Sequence, residues 1–292
     1  MGLVDKFKTL FKSEKKLDVE SRFELLREAV SGTMSAVYMA KDRETDKIVG
    51  LKICDQKMLE QFESRFKGLN KPTEGEIACR MKHPNIVETF QHGTTTKGLR
   101  YLLMEFVEGP GLHALIHTHD SVLEGKRVEL IRQMADALDY VHRAEFIHRD
   151  VCPRNFIASP DATSVKLIDF GLTVPATPDF MKPGNRTGTA IYHASEISRR
   201  RSTDQRVDIF ALGVTAYQLC TFELPWPVSD KPAMSALAYD TTTPKNVLEY
   251  RPTLNPLLAK AIMQCLLPNP GDRPQTMGEV LRMIFSVKQD DV

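Results

Sequence analysis

Between Arg22 and about Val107 the apolar residues fall into short runs, which predicts a strand-rich region. Val37-Tyr38-Met39 and Ile48 to Ile53 predict β-strands, parted by the turn-prone polar stretch from Asp42 to Lys47. Glu74 to Lys82 predicts a helix that stops at His83-Pro84, since the residue before a proline is pushed out of the helical region. Tyr101 to Val107 predicts a buried strand, and the breaker cluster Glu108-Gly109-Pro110-Gly111 after it suits a hinge. From Leu112 onward the period changes to that of helices. Leu130, Ile131, Met134, Ala135, Leu138 and Val141 share one helical face. A second apolar helix is predicted over Val207 to Thr221, and a third from near Leu257 through Leu258, Ile262 and Leu266. The outcome is a small sheet-rich lobe, a short linker and a larger helical lobe, and a ligand is expected in the cleft of such a pair. No internal repeat and no low-complexity segment appears.

The first residues differ from the rest. Leu3, Val4, Phe7, Leu10 and Phe11 recur at helical spacing, with Lys6, Lys8, Lys12, Lys15 and Lys16 among and after them. This is a basic amphipathic helix, suited to an anionic membrane surface, a partner groove, or packing on its own domain. Lys6 stands where a myristoylation signal needs Ser or Thr, so Met1-Gly2 is not one.

Bulk composition narrows the class. The 292 residues are 42% hydrophobic and 26% charged, which excludes a disordered or membrane-embedded chain. A net charge of +1 gives no reason to expect nucleic acid as a partner. Cys54, Cys79, Cys152, Cys220 and Cys265 are spread apart with no CxxC pair, against a disulfide framework or zinc site and for a reducing cytoplasmic setting. No run of 18 apolar residues and no cleavable signal peptide is present, so a soluble protein is expected.

Two segments carry candidate chemistry. In His148-Arg149-Asp150-Val151-Cys152-Pro153-Arg154-Asn155, an acid lies five residues before an amide, in a loop after an apolar helix. Asp150 can accept a hydroxyl proton, and Asn155 can offer an oxygen to a hard cation such as Mg2+. A polar loop with a buried aspartate has the same composition. Nineteen residues after Asp150, the apolar stretch Val165 to Ile168 delivers Asp169, with Phe170-Gly171 behind it, as a second metal ligand would be delivered.

With both segments in place the chain, from roughly Arg22 to Ile284, resembles the eukaryotic-like protein kinases. The resemblance implies an α+β, two-lobed fold: a small antiparallel-sheet lobe with one helix, then a larger, mainly helical lobe. The implied divisions are an extension over 1–21, the lobes over 22–107 and 108–287, and a tail over 288–292. It implies a Mg2+-dependent transfer of the γ-phosphoryl of ATP to Ser/Thr hydroxyls of protein substrates, with autophosphorylation as a further property. Lys52 matches the strand lysine that holds the α- and β-phosphates, and Glu74, nine residues before His83, its helix partner; Glu76 is the competitor. Asp150 matches the catalytic aspartate, and Asn155 and Asp169 the metal ligands. Val30, Gly32, Val37, Met104, Glu105, Val107 and Ile157 complete the nucleotide site, with Met104 as gatekeeper and Glu105 to Val107 along the adenine. Gly188 to Glu196 matches the end of an activation segment, with Thr189 at the catalytic aspartate, as in Ser/Thr-specific members. Glu196 is expected to pair with Arg273, and Asp208 to brace the catalytic loop. Arg149 suggests control by a phosphate on the activation segment, at Thr177 or Thr187.

The departures from the family pattern matter. The phosphate loop Val30-Ser31-Gly32-Thr33-Met34-Ser35-Ala36-Val37 keeps only the middle glycine of GxGxxGxV. Cys152 replaces the usual lysine of the catalytic loop, and Arg154 stands where tyrosine-specific members place a compensating cation; it is expected to supply the missing charge. Arg154 would also favour a reactive thiolate at Cys152, against the alternative of a merely tolerated small side chain. Ser195 replaces a proline and is expected to loosen its turn. These departures support the alternative of a pseudokinase scaffold of the same fold. The run Arg199-Arg200-Arg201 suits either acidic substrates or a solvated surface.

Overall fold

The computed structural model describes residues 16–31, 35–184, 187–227, 239 and 241–292, with the backbone alone at 29–31. The expected N-terminal amphipathic helix, Gly32 and the Val30 side chain therefore lie outside what is described. The chain forms two compact units. One comprises Met1–Lys67, Ala78–Arg80 and Glu88–Phe106, and the other Gly68–Ile77, Met81–Val87 and Val107–Val292.

The first unit is built on a five-stranded antiparallel sheet of β1 (Phe23–Ser31), β2 (Ser35–Asp42), β3 (Lys47–Cys54), β4 (Thr89–Thr94) and β5 (Arg100–Glu105), in the order β1-β2-β3-β5-β4. Leu17, Phe23, Ala40, Val49, Leu51, Tyr101 and Leu103 form its core. The β2–β3 turn is set by Asp42, whose carboxylate accepts from Arg22 Nη2 at 2.9 Å and from the Glu44 backbone N–H at 3.0 Å. The Arg22 guanidinium holds the Asp42 carboxyl below the usual carboxylate range. Gly50 on β3 faces Met104 on β5, where a Cβ would stand 3.0 Å from Met104 Cγ and 3.2 Å from the Glu105 carbonyl oxygen. A side chain there would press on both, so glycine eases the approach of these two strands. β5 stops at Glu105, two residues before the apolar run does. Strand pairing, rather than hydrophobicity, ends it.

In the second unit, α1 (Glu74–Ala78) is far shorter than the predicted Glu74 to Lys82 helix. Thr73 and Glu76 close a capping box: the Glu76 N–H donates to Thr73 Oγ1 at 3.3 Å, and the Thr73 N–H to Glu76 Oε2 at 2.7 Å. Gly75 in the first turn weakens helix propagation by about 1 kcal/mol, and the chain leaves the helix at Cys79. The apolar stripes further on form α2 (Arg127–Arg143), α3 (Arg206–Thr221), α4 (Pro256–Cys265) and α5 (Met277–Met283). α3 is apolar on all sides and buried along nearly its whole length, as such a helix must be. Two small antiparallel ribbons carry the loops: β6 (Phe146–Ile147) with β9 (Val174–Pro175), and β7 (Phe156–Ala158) with β8 (Val165–Leu167).

The Glu108 to Gly111 cluster is strapped to this unit. The Ala158 N–H donates to the Pro110 carbonyl at 3.0 Å, and Gly111 bridges Ile157. Gly109 has φ +139°, and a Cβ there would lie 1.9 Å from the Ala158 carbonyl oxygen. Residues 288–292 are held as firmly. Asp290 is 1% exposed and accepts from the backbone N–H groups of Arg127 and Val128 at 3.0 and 2.8 Å, capping α2. Asp291 pairs with Arg251 and accepts from Thr253.

Candidate active site

The loop between β6 and β7 is fixed from below by one side chain. Asp208, in the first turn of α3 and 1% exposed, accepts from the backbone N–H groups of His148 and Arg149, both at 2.8 Å. His142 Nε2 lies 2.9 Å from the same carboxylate. Burial works to raise the Asp208 carboxyl, but His142, His148 and the Arg149 amide outweigh it and hold it below the usual range. Arg149 takes a left-handed conformation, φ +69°, and both the loop's direction and its strain are held by these bonds.

Asp150 is then aimed by its neighbours. Thr189 donates to Oδ1 through both its N–H and its hydroxyl, each at 2.9 Å. Asn155 Nδ2 donates to Oδ2 at 2.9 Å and to the Asp150 carbonyl at 2.7 Å. An ionised carboxylate offers about four lone-pair directions. Among the described residues three are taken, which leaves one on Oδ2 open to a hydroxyl.

Asn155 spends its amide N–H groups on Asp150, so its Oδ1 is turned away and meets no donor among the described residues. Asp169 is tied to the same loop: His148 Nε2 lies 2.6 Å from its carbonyl oxygen, and its Oδ1 accepts from the Gly171 N–H at 2.7 Å. A Cβ on Gly171 would lie 3.1 Å from Asp169 Oδ1 and 3.5 Å from Glu74 Oε2, so the Glu74 carboxylate reaches this turn. An amide oxygen and a carboxylate fit Mg2+, which takes one or two protein oxygens and completes its shell with phosphates and water. Among the described residues no three His, Cys, Asp or Glu side chains cluster to hold a metal by themselves.

The remaining expected residues divide between the units. Lys52 sits on β3, 5% exposed, opposite Val37 and Leu102. Met104 is buried on β5, and Glu105 Oε1 accepts from the Glu88 N–H at 2.8 Å. Glu74, Val107, Ile157, Asp150, Asn155 and Asp169 belong to the second unit. Glu76, the competitor of Glu74, is engaged in the capping box.

Several expectations about the second unit change. Cys152 is not among them and fits the alternative of a small side chain tolerated in the loop: it is 1% exposed, and burial, with the charge of Asp150 behind it, pushes the thiol up to about 12. The Arg154 backbone N–H opposes this, but its guanidinium points outward. Ser195 does not loosen its turn, because its hydroxyl donates to the Pro268 carbonyl at 3.2 Å. Thr187 is enclosed, with its hydroxyl unpaired among the described residues, while Thr177 is exposed. Arg149 donates through Nη2 to Thr203 Oγ1 at 2.7 Å. Glu196 and Arg273 form the expected buried pair, bidentate at 2.7 and 2.9 Å. His142, Thr203 and Gln218, which accepts from the Tyr192 hydroxyl at 2.7 Å, gave no signal in the sequence; each acts across more than 25 residues.

Comparison with known proteins agrees with this arrangement. Residues 23–285 match the family described as "Protein kinase domain". The serine/threonine-protein kinase pkn3 of Myxococcus xanthus is 32% identical over 83% of this chain and 46% of its own length. PknB of Mycolicibacterium smegmatis is 30% identical over 93% of this chain and 44% of its own. A probable serine/threonine-protein kinase of Clostridium acetobutylicum is 28% identical over 94% and 41%. The chain thus spans less than half the length of these relatives. No helix among the described residues is long and apolar enough to cross a membrane. The α+β architecture, the braced loop around Asp150 and the match over residues 23–285 agree: the chain belongs to the protein kinase domain family.

Proposed function

We propose that this domain transfers the γ-phosphoryl group of ATP to Ser/Thr hydroxyls of protein substrates. The observation that carries the reading is the Asp150 carboxylate, aimed by Thr189 and Asn155 with one lone pair open. Asp150 accepts the proton of the acceptor hydroxyl as its oxygen attacks phosphorus. Thr189 forms part of the acceptor platform, in keeping with a Ser/Thr hydroxyl. The first unit offers Lys52 for the α- and β-phosphates and Val30, Gly32, Val37, Met104 and Glu105 for the rest of the nucleotide; the second offers Glu74, Val107 and Ile157. Asn155 and Asp169 would hold Mg2+, which when bound neutralises the charge on the phosphates. Arg154 supplies a cation on the acceptor side of Asp150, where the loop has Cys152.

The relatives' names, all serine/threonine-protein kinases, support the acceptor class. The wide spacing of Cys54, Cys79, Cys152, Cys220 and Cys265, with no CxxC pair, supports a reducing, cytoplasmic place of action. Cys152 favours a second reading, a scaffold with little catalysis. Labelled ATP incubated with the purified protein and a generic acceptor separates the two. Transfer that disappears in Asp169→Asn is the expected result; no transfer above that control refutes the catalytic reading.

A further inference from the structure

Arg154 is a cation with no ion-pair partner among the described residues. It sits in the turn Pro153–Asn155, whose flanking residues Pro153 and Asn155 are buried while Arg154 is exposed. The turn is rigid: its proline fixes φ, the Asn155 N–H donates to the Cys152 carbonyl at 3.0 Å, and the Asn155 side chain holds Asp150. The backbone that carries the guanidinium is thereby fixed relative to the proposed catalytic carboxylate. Arg149, Arg206 and Arg273 in the same unit all hydrogen-bond within the chain, but Arg154 has no hydrogen-bond or ion-pair partner among the described residues.

Tyr192 and His113 are close enough to feel the charge of Arg154. Burial first, then Arg154, lowers the His113 imidazole below its ordinary range. The Tyr192 phenol is raised by burial, with Arg154 working the other way. The Tyr192 hydroxyl is committed to a neutral partner, Gln218 Oε1. Tyr192 thus feels the charges of both Asp150 and Arg154, and a guanidinium presents a planar fork that fits a carboxylate with two parallel hydrogen bonds.

We propose that Arg154 forms a subsite for an acidic side chain of the protein substrate, so that the domain favours Ser/Thr acceptors flanked by Asp or Glu. This rests on the protein-kinase reading and adds a substrate class to it. Arg154 is then a specificity residue as well as a local cation, and the two roles separate experimentally. An exposed ion pair contributes up to about a fivefold factor, and replacing attraction by repulsion about squares it.

The test uses the full chain with peptides in which Glu, Gln or Lys is walked through the positions around one threonine. Wild type is expected to favour Glu over Gln about fivefold in kcat/KM at one position, mainly through KM, and over Lys about 25-fold. The preference should shrink with added salt. Arg154→Gln should erase it and Arg154→Glu should invert it. The inference is overturned if no position separates Glu from Gln in wild type, or if Arg154→Gln keeps the preference. It is equally overturned if Arg154→Gln lowers kcat/KM on every peptide by one factor, because the cation then serves only the transferred group. Fluorescence anisotropy of the same peptides reads binding without turnover. A domain that transfers no phosphate yet binds Glu peptides through Arg154 refutes the catalytic reading and keeps the subsite.

Discussion

Removing Arg273 should cost the second unit more than any other single change to its ion pairs. Its side chain is fully buried, and it meets Glu196 through two hydrogen bonds of 2.7 and 2.9 Å. It also donates to the carbonyls of Leu267, Arg206 and Pro268 and lies 4.9 Å from the centre of the Phe210 ring. Arg273→Ala leaves a carboxylate that is only 6% exposed without its counter-charge. Breaking such a pair from one side costs about 3–5 kcal/mol, most of it the penalty of the stranded charge. For a unit of this size each kcal/mol moves the melting temperature by about 2–4 °C, so a fall of about 6–20 °C is expected by calorimetry. The double variant Glu196→Leu/Arg273→Met removes both charges and should recover much of the loss, because no buried ion remains. A melting temperature for Arg273→Ala within 2 °C or so of wild type refutes the reasoning. A double variant no better than the single one refutes the stranded-charge explanation in particular.

Three further outcomes are expected. The Asp208 carboxyl is held below its ordinary value, so its stabilisation is in place above about pH 4 and is lost as the pH falls through the lower, folded-state value; urea midpoints between pH 5 and 3 should fall less steeply for Asp208→Asn, and equal slopes would contradict this. Cys152, with its thiol pushed up to about 12, should resist alkylation at pH 8 in the native protein while the half-buried Cys79 reacts, as mass spectrometry of modified peptides reads; equal rates would contradict the burial argument. Gly109→Ala places a Cβ 1.9 Å from the Ala158 carbonyl oxygen in a backbone conformation that disfavours side chains, and should destabilise by about 2 kcal/mol or more in chemical denaturation, whereas an unchanged midpoint would show that the strap can move.

How much of this was legible beforehand depended on the range of the interaction. The stripe of α2 announced itself because burial repeats at a fixed period, whereas the strand around Val49 and α3 were legible as continuous apolar runs. Asp150, Asn155 and Asp169 were legible because a catalytic loop needs specific groups at fixed offsets. The length of α1 was not, since Gly75 acts against a run that otherwise reads as helix. The condition of Cys152 was not legible either. Arg154 is two residues away in sequence, yet its guanidinium turns outward while the thiol turns inward against Thr189 Oγ1, 3.9 Å away. Ser195 shows the same limit, because the Pro268 carbonyl that anchors it lies 73 residues further along the chain.

The Asp290 cap has a consequence for synthesis. The residues of α2 leave the ribosome well before their cap does, because Asp290 follows Arg127 by 163 positions. At about 5–20 residues per second this interval is about 8–30 s. Throughout it, the first N–H groups of α2 have no Asp290 carboxylate to donate to, and the Arg127 guanidinium lacks the neighbouring charge it finally lies beside, 3.6 Å away. The second unit can collapse around α3 in that time but cannot close its own base. A nascent chain stalled before residue 290 should therefore be protease-sensitive near Arg127 and become resistant once the acid arrives. Asp290 then serves as a completion signal for a helix made 163 positions earlier.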